Sequence, residues 1–187
     1  VAIIPLVEGH AEIGSIPILL RRLGITEVAR PFRVKRNKVV KPGELERAVE
    51  QAIRDRENAS AVLIILDADD DCPAELGPDL HARCAACTHL PASVVLANRE
   101  LEAWFLGGIE SLRGHRGIAP GAVWDRDPEE PRGAKQRVEE MMQGRSYLDT
   151  DDQPALMAAL DIPAARVRCP SLDKLLRDLE SFGLIGT

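Results

Sequence analysis

Four carboxylates fall within five positions at Asp67, Asp69, Asp70 and Asp71, with only Ala68 between them. Acids this close repel one another unless a cation lies among them. The apolar run Leu63-Ile64-Ile65-Leu66 leads straight into the cluster. Its length and β-branched content read as a strand buried on both faces, as in the middle of a parallel sheet. The acids then emerge at the carboxyl end of that strand, the edge at which open α/β sheets bind ligands. The stretch points to a divalent metal site, and hard oxygen donors of this kind suit Mg²⁺ or Mn²⁺.

A second acid stands in a comparable place. Ala2 to Val7 reads as a first buried strand ending at Glu8, with Gly9 giving a tight exit. If the first and third strands are neighbours, Glu8 and Asp67 emerge side by side, and Asp69 turns back to the same cation. A solvated acidic loop explains one Asp after a strand. It explains less well an acid after strand one together with Asp-x-Asp after strand three. Glu12 falls in the first turn of a helix over Ala11–Leu23, where alone it reads as a carboxylate favoured by the helix dipole. Asp71, Glu100 and Glu102 are further acids at the same edge. An EF-hand loop starting at Asp67 fails, since it wants Gly where Cys72 stands and Glu where Pro78 stands.

The run Val7-Glu8-Gly9-His10-Ala11-Glu12, followed by Asp67-Ala68-Asp69, resembles the Toprim domain of topoisomerases, bacterial-type primases and OLD-family nucleases. The Glu-Gly-x-x-Glu form is closest to the OLD-type nucleases. The segment Arg99–Trp104 is similar to one in small stand-alone Toprim-like proteins, several encoded beside an ATPase. The resemblance covers residues 1–106. It implies an α/β, Rossmann-like, mainly parallel sheet with helices on both faces. It implies that Asp67 and Asp69 are metal ligands, and that Glu8 is a ligand or the general acid/base near a scissile phosphate. Glu12 would help hold a second cation, which Glu100 or Glu102 would complete. The activity implied is Mg²⁺- or Mn²⁺-dependent cleavage of DNA or RNA, DNA ahead of RNA, in antiviral defence or repair beside an ATPase partner. Two alternatives stand: a subunit that binds metal and nucleic acid or a partner without cutting, and a phosphotransfer enzyme for a small phosphorylated substrate. The chain departs from topoisomerases and primases in showing no second domain with a nucleophilic tyrosine and no zinc module. Tyr147 is its only tyrosine.

Two other clusters have plainer readings beside the functional one. Arg30, Arg33, Lys35, Arg36, Lys38 and Lys41 form a basic stretch, either a solvated loop or a phosphate track beside the acids. His81, Cys84, Cys87 and His89 include a zinc-like Cys-x-x-Cys, but all lie on or near one predicted helix. One helix does not aim four ligands at a tetrahedral centre, so buried thiols are the default. Trp104 and Phe105 read as core.

The elements that must position these residues follow a strand–helix repeat. Helices are expected over Glu44–Arg56 and Pro73–Cys87, a weak strand over Val28–Val34, a strand over Ser93–Leu96 and a short helix at Asn98–Leu106. Beyond Gly107 the chain is rich in Gly, Pro and charge, giving an irregular connector and a small helical extension (107–187) packed on the first part. Helices are expected there at Ala134–Met142, Pro154–Leu160 and Ser171–Phe182, with Asp151, Asp152 and Ser171 as caps. A chain of 187 residues with 45% hydrophobic residues can bury a real core, built from aliphatics because aromatics are 3%. A net charge of −6 argues against binding nucleic acid through bulk charge. Four cysteines without a disulfide pattern, no membrane-length apolar run and no visible signal peptide are the marks expected of a cytoplasmic protein.

Overall fold

The apolar runs of the first half become the interior of one parallel sheet. The computed structural model describes residues 2–54, 56–130 and 132–186. In chain order its elements are β1 (Ala2–Val7), α1 (His10–Arg22), β2 (Phe32–Arg33), α2 (Arg36–Val39), α3 (Glu44–Ile53), β3 (Ala59–Asp67), α4 (Pro73–Cys87), β4 (Ala92–Ala97) and α5 (Ala103–Gly107). A 3₁₀ turn at Ile109–Leu112, α6 (Ala134–Glu140), α7 (Asp149–Ala159), α8 (Ile162–Arg168) and α9 (Pro170–Ser181) follow. Among the described residues the sheet has four strands, all parallel, in the order β2-β1-β3-β4. This is the α/β, Rossmann-like architecture with helices on both faces that the sequence predicts.

Both faces of the sheet are covered, which is why its strands read as continuous apolar runs. Ile4, Leu6, Val62, Ile64, Leu66, Val94 and Leu96 form one core with Leu45 and Val49 of α3 and Leu80 of α4. Ile3, Val7, Leu63, Ile65 and Val95 face the other way. They share a core with Ile16 and Leu20 of α1, Trp104 and Phe105 of α5, Leu156 of α7 and Leu172, Leu175 and Leu179 of α9. This second core therefore draws on residues on both sides of Gly107.

The winding positions the site. From β1 the chain passes outward to β2, then back across β1 to β3, and on to β4. With α1 on one face and α3 and α4 on the other, the winding reverses between β1 and β3. The crevice at such a reversal, outside the carboxyl ends of the strands, is where open α/β sheets take ligands. β1 and β3 pair directly, with Val7 opposite Ile65, so Glu8 and Asp67 leave adjacent strands at that crevice.

Several local expectations are corrected. The expected strand over Val28–Val34 shrinks to Phe32–Arg33 plus an isolated bridge from Ile3 to Val28, since Pro31 has no N–H for a ladder. The helix expected to Arg56 ends at Ile53, and residue 55 lies outside the described residues. α2, α8 and the 3₁₀ turn occupy chain expected to be irregular; each is too short to display a period. α7 begins at Asp149, so Asp151 and Asp152 lie inside it. Asp152 is fully buried, accepts from the backbone N–H of Leu148 at 2.7 Å and is clamped by Arg116 and Arg145. Ser171 is not the cap of α9. Its hydroxyl accepts from Trp104 Nε1 at 2.7 Å and donates to the buried Glu129. Trp104 and Phe105 are core residues with no exposed surface. No described helix is long and apolar enough to cross a membrane.

Candidate functional site

Glu8 stands one residue beyond β1, half-buried at the crevice. Gly9 follows with extended backbone, so its conformation does not call for glycine (φ −97°, ψ 173°). Space does. A Cβ at Gly9 would collide with the carboxylate of Glu12, which folds back over it from the first turn of α1. Glu12 Oε1 accepts from Gln153 Nε2 of α7 at 3.2 Å. Among the described residues, Glu8 Oε2 and Glu12 Oε2 are buried without a hydrogen-bond partner. A carboxylate oxygen taken out of water and left unpaired is costly.

The opposing wall comes from β3 and the turn after β4. Asp67 ends β3, and its Oδ1 accepts from the backbone N–H of Leu101 at 2.9 Å. Asp69 has left-handed backbone, φ 51°, and its N–H donates at 3.0 Å to the carbonyl of Arg99, itself at φ 65°. Glu102 is buried and accepts from Tyr147 Oη at 3.0 Å and from Gln153 Nε2 at 3.2 Å. Gln153 thus bridges Glu12 and Glu102, and its own Oε1 accepts from Ser15 Oγ at 2.6 Å. Glu100 accepts from the backbone N–H of Lys135 at 2.9 Å, and Lys135 Nζ pairs with Asp149 at 2.6 Å. Glu12, Asp67, Asp69, Glu100, Glu102 and Lys135 line one cleft of about 470 Å³.

Crowding and burial raise the proton affinity of Asp67, Glu8 and Glu102. Asp67 is held well above the ordinary aspartate value, first by burial and then by the charges of Glu102 and Glu12. Glu8 is raised by burial and by Asp69, against a smaller opposing pull from Arg36. Burial also raises Glu102, although its bonds from Gln153 and Tyr147 pull the other way. The Tyr147 phenol is pushed upward by burial and by Glu102, which leaves it a hydrogen-bond donor rather than a nucleophile. Mutually repelling carboxylates with unpaired buried oxygens fit a hard divalent cation. Among the described residues no three Asp, Glu, His or Cys side chains are gathered into a ready-made cage. Mg²⁺ needs none, since it commonly takes one or two carboxylates and fills its sphere with water and phosphate oxygens.

The residues singled out in the sequence are sorted by the fold. Glu8, Glu12, Asp67, Asp69, Glu100 and Glu102 meet at the crevice. Asp71 turns away from it and pairs with Arg36. The fold divides the basic stretch between two places. Arg36 is committed to the acidic loop, pairing also with Asp69 at 3.3 Å and donating to the carbonyl of Ala68 at 2.9 Å. Arg33 braces the exit from β1, donating to the carbonyl of Glu8 at 3.1 Å and to His10 Nε2 at 2.5 Å. Arg33, Lys35 and Lys38 are exposed and line one cleft with Arg47, apart from the acids. Cys84 is buried, its thiol pushed up to about 12 by burial, and Cys87 Sγ donates to the Cys84 carbonyl; these are packing thiols. Gln153, Tyr147, Lys135 and Asp149 complete the site without any local signal in the sequence. Gln153 and Asp149 reach it because α7 packs on α1, Lys135 comes from α6, which packs on α5, and Tyr147 lies between α6 and α7.

The chain belongs to the DUF4276 family, described as a domain of unknown function, whose model matches residues 7–180. No curated protein and no solved structure matches it. The matched span holds both walls of the cleft, including Gln153.

Proposed function

We propose that the chain is a divalent-cation-dependent phosphodiesterase that cuts nucleic acid, DNA or RNA. The observation that carries this reading is the convergence of Glu8, Glu12, Asp67 and Glu102 at the reversal of the sheet, with one buried oxygen of Glu8 and one of Glu12 unpaired. Asp67 and Asp69 would hold Mg²⁺ or Mn²⁺, with water and phosphate oxygens filling its sphere, and Glu12 would help hold a second cation. The bound cation would lower the pKa of a water and offset charge on the phosphate. Glu8, its proton affinity raised by burial and by Asp69, would take a proton from the attacking water. Lys135, oriented by Asp149, brings positive charge to the same cleft. Gln153 holds Glu12 and Glu102 apart at fixed spacing.

The likeness of Glu8-Gly9-x-x-Glu12 and Asp67-x-Asp69 to the Toprim pattern of OLD-type nucleases supports the same chemistry. An ATPase partner and a role in defence or repair belong to the proposal through that likeness alone, and a cytoplasmic location through the four cysteines without a disulfide pattern.

The test is cleavage of supercoiled plasmid, single-stranded DNA and RNA with Mg²⁺ or Mn²⁺ against EDTA. Cleavage is expected only with the metal, and Asp67→Asn is expected to reduce it by on the order of 100-fold or more. Cleavage that persists in EDTA, or survives Asp67→Asn intact, contradicts the assignment. A wild-type chain that binds cation and strand but cuts nothing is instead a non-cutting subunit.

A further inference from the structure

Beside the acidic cleft lies a second one, also of about 470 Å³, that the proposed hydrolysis does not use. The two share Asp69 and Glu100 in their walls. Three arginines converge on the second cleft from separate segments: Arg36 from the start of α2, Arg99 from the turn between β4 and α5, and Arg132 from the connector before α6. All three rest on the loop Asp69–Asp71. Arg36 pairs with Asp69 and Asp71, while Arg99 and Arg132 both reach Asp70 Oδ1, at 3.7 and 2.6 Å.

Exposed ion pairs of this kind contribute about 0–1 kcal/mol, so stability does not account for the arrangement. The backbone adds a cost to it. Asp69 and Arg99 both occupy left-handed conformations that glycine adopts freely, and they are bonded to each other there. Such positions cost on the order of 1–3 kcal/mol and persist where surrounding structure enforces them, typically at ligand sites. Here the strain sets Asp69 on the border between the two clefts and Arg99 in the wall of the second.

We infer that the arginine cleft takes the phosphate next to the scissile one on a nucleic-acid strand. Arg99 and Arg132 grip its oxygens, and Arg36 neutralises the acidic loop behind them. The inference rests on the acidic cleft being the hydrolytic centre. Guanidinium forks match phosphate oxygens in pairs, and Asp70 gives up its weak exposed pairs at little cost. A small phosphomonoester has no use for a second phosphate cleft; a strand crossing the shared border occupies both. In a chain of net charge −6, local arginines must supply the attraction.

The experiment is fluorescence anisotropy of a labelled single-stranded DNA oligonucleotide with the full chain over a salt series, with Ca²⁺ present. Losing that phosphate contact is expected to weaken binding of Arg99→Ala/Arg132→Ala about tenfold or more. It also flattens the slope of log K against log salt by about 0.7. The melting temperature and Mn²⁺ affinity stay as in the wild type. Arg132→Glu alone, at a side chain 73% exposed and so without consequence for folding, weakens binding in the same direction. Arg99→Lys/Arg132→Lys keeps the slope. An unchanged slope in the double alanine variant, or a wild-type chain that binds no oligonucleotide at low salt, overturns the inference. A lost slope in a chain that never cuts leaves the arginine cleft standing and removes the hydrolytic reading. Cutting that depends on Asp67 with an unchanged slope does the reverse.

Discussion

At the scale of single residues, the site is an arrangement of unfavourable placements. Asp67 has its proton affinity raised by burial and by neighbouring carboxylates. A carboxyl whose folded pKa exceeds its unfolded value of about 3.9 favours folding while protonated, and that contribution is lost as pH rises through the folded value. Above it the penalty is present in full. Asp67→Asn keeps the oxygen that accepts from Leu101 and removes the charge. Without metal at neutral pH it is therefore expected to melt at least about 2 °C above the wild type, which corresponds to roughly 1 kcal/mol in a chain of this length. The difference should shrink toward pH 4. Scanning calorimetry across pH checks this, and a variant that melts lower at neutral pH contradicts it. Gly9 makes a complementary case. Its backbone suits any residue, so Gly9→Ala should fold and melt near the wild type. Its Cβ displaces the Glu12 carboxylate, however, so Mn²⁺ affinity should fall by about tenfold. Calorimetric titration showing wild-type affinity in Gly9→Ala would exclude Glu12 from the donor set.

At the scale of elements, what was legible in the chain was what local pattern encodes. The runs at 2–7, 61–66 and 93–96 show their burial on both faces, and each becomes a strand of the parallel sheet. Because strand period and turn chemistry are local, the acids after β1 and β3 could be placed at one sheet edge before any contact was known. The pairing of β1 with β3 then brings Glu8 and Asp67 to one crevice. The second wall was not legible. Gln153 sits in a helix with polar and apolar residues on every side, and its partners Ser15, Glu12 and Glu102 lie far away in the chain. Nothing in its neighbourhood distinguishes it from a surface glutamine. Between Glu100 and Glu102 the sequence offered no choice either. The fold buries Glu102 against Tyr147 and Gln153, and ties Glu100 to the backbone of Lys135 at the border of the arginine cleft. The fold divides the basic stretch. β2 and α2 leave Arg33, Lys35 and Lys38 along one cleft and turn Arg36 to the acidic loop, and such short elements carry too few residues to announce themselves.

At the scale of the whole molecule, the two parts of the chain build one site. The face of the sheet that carries α1 is closed by α5, α7 and α9, and the aliphatic side chains of both parts share that core. Packing α7 against α1 places Gln153 between two acids that the first hundred residues supply. The matched family span, residues 7–180, takes in both parts. An acidic molecule then presents one cleft of carboxylates and, across Asp69 and Glu100, one cleft with arginines. The account depends above all on the first of these holding a divalent cation. Isothermal titration of Mn²⁺ into the full chain and into Asp67→Asn/Asp69→Asn tests that most directly. Saturable binding in the wild type that disappears in the double variant is the predicted result. No binding by the wild type, or equal binding by a folded double variant, would contradict the account.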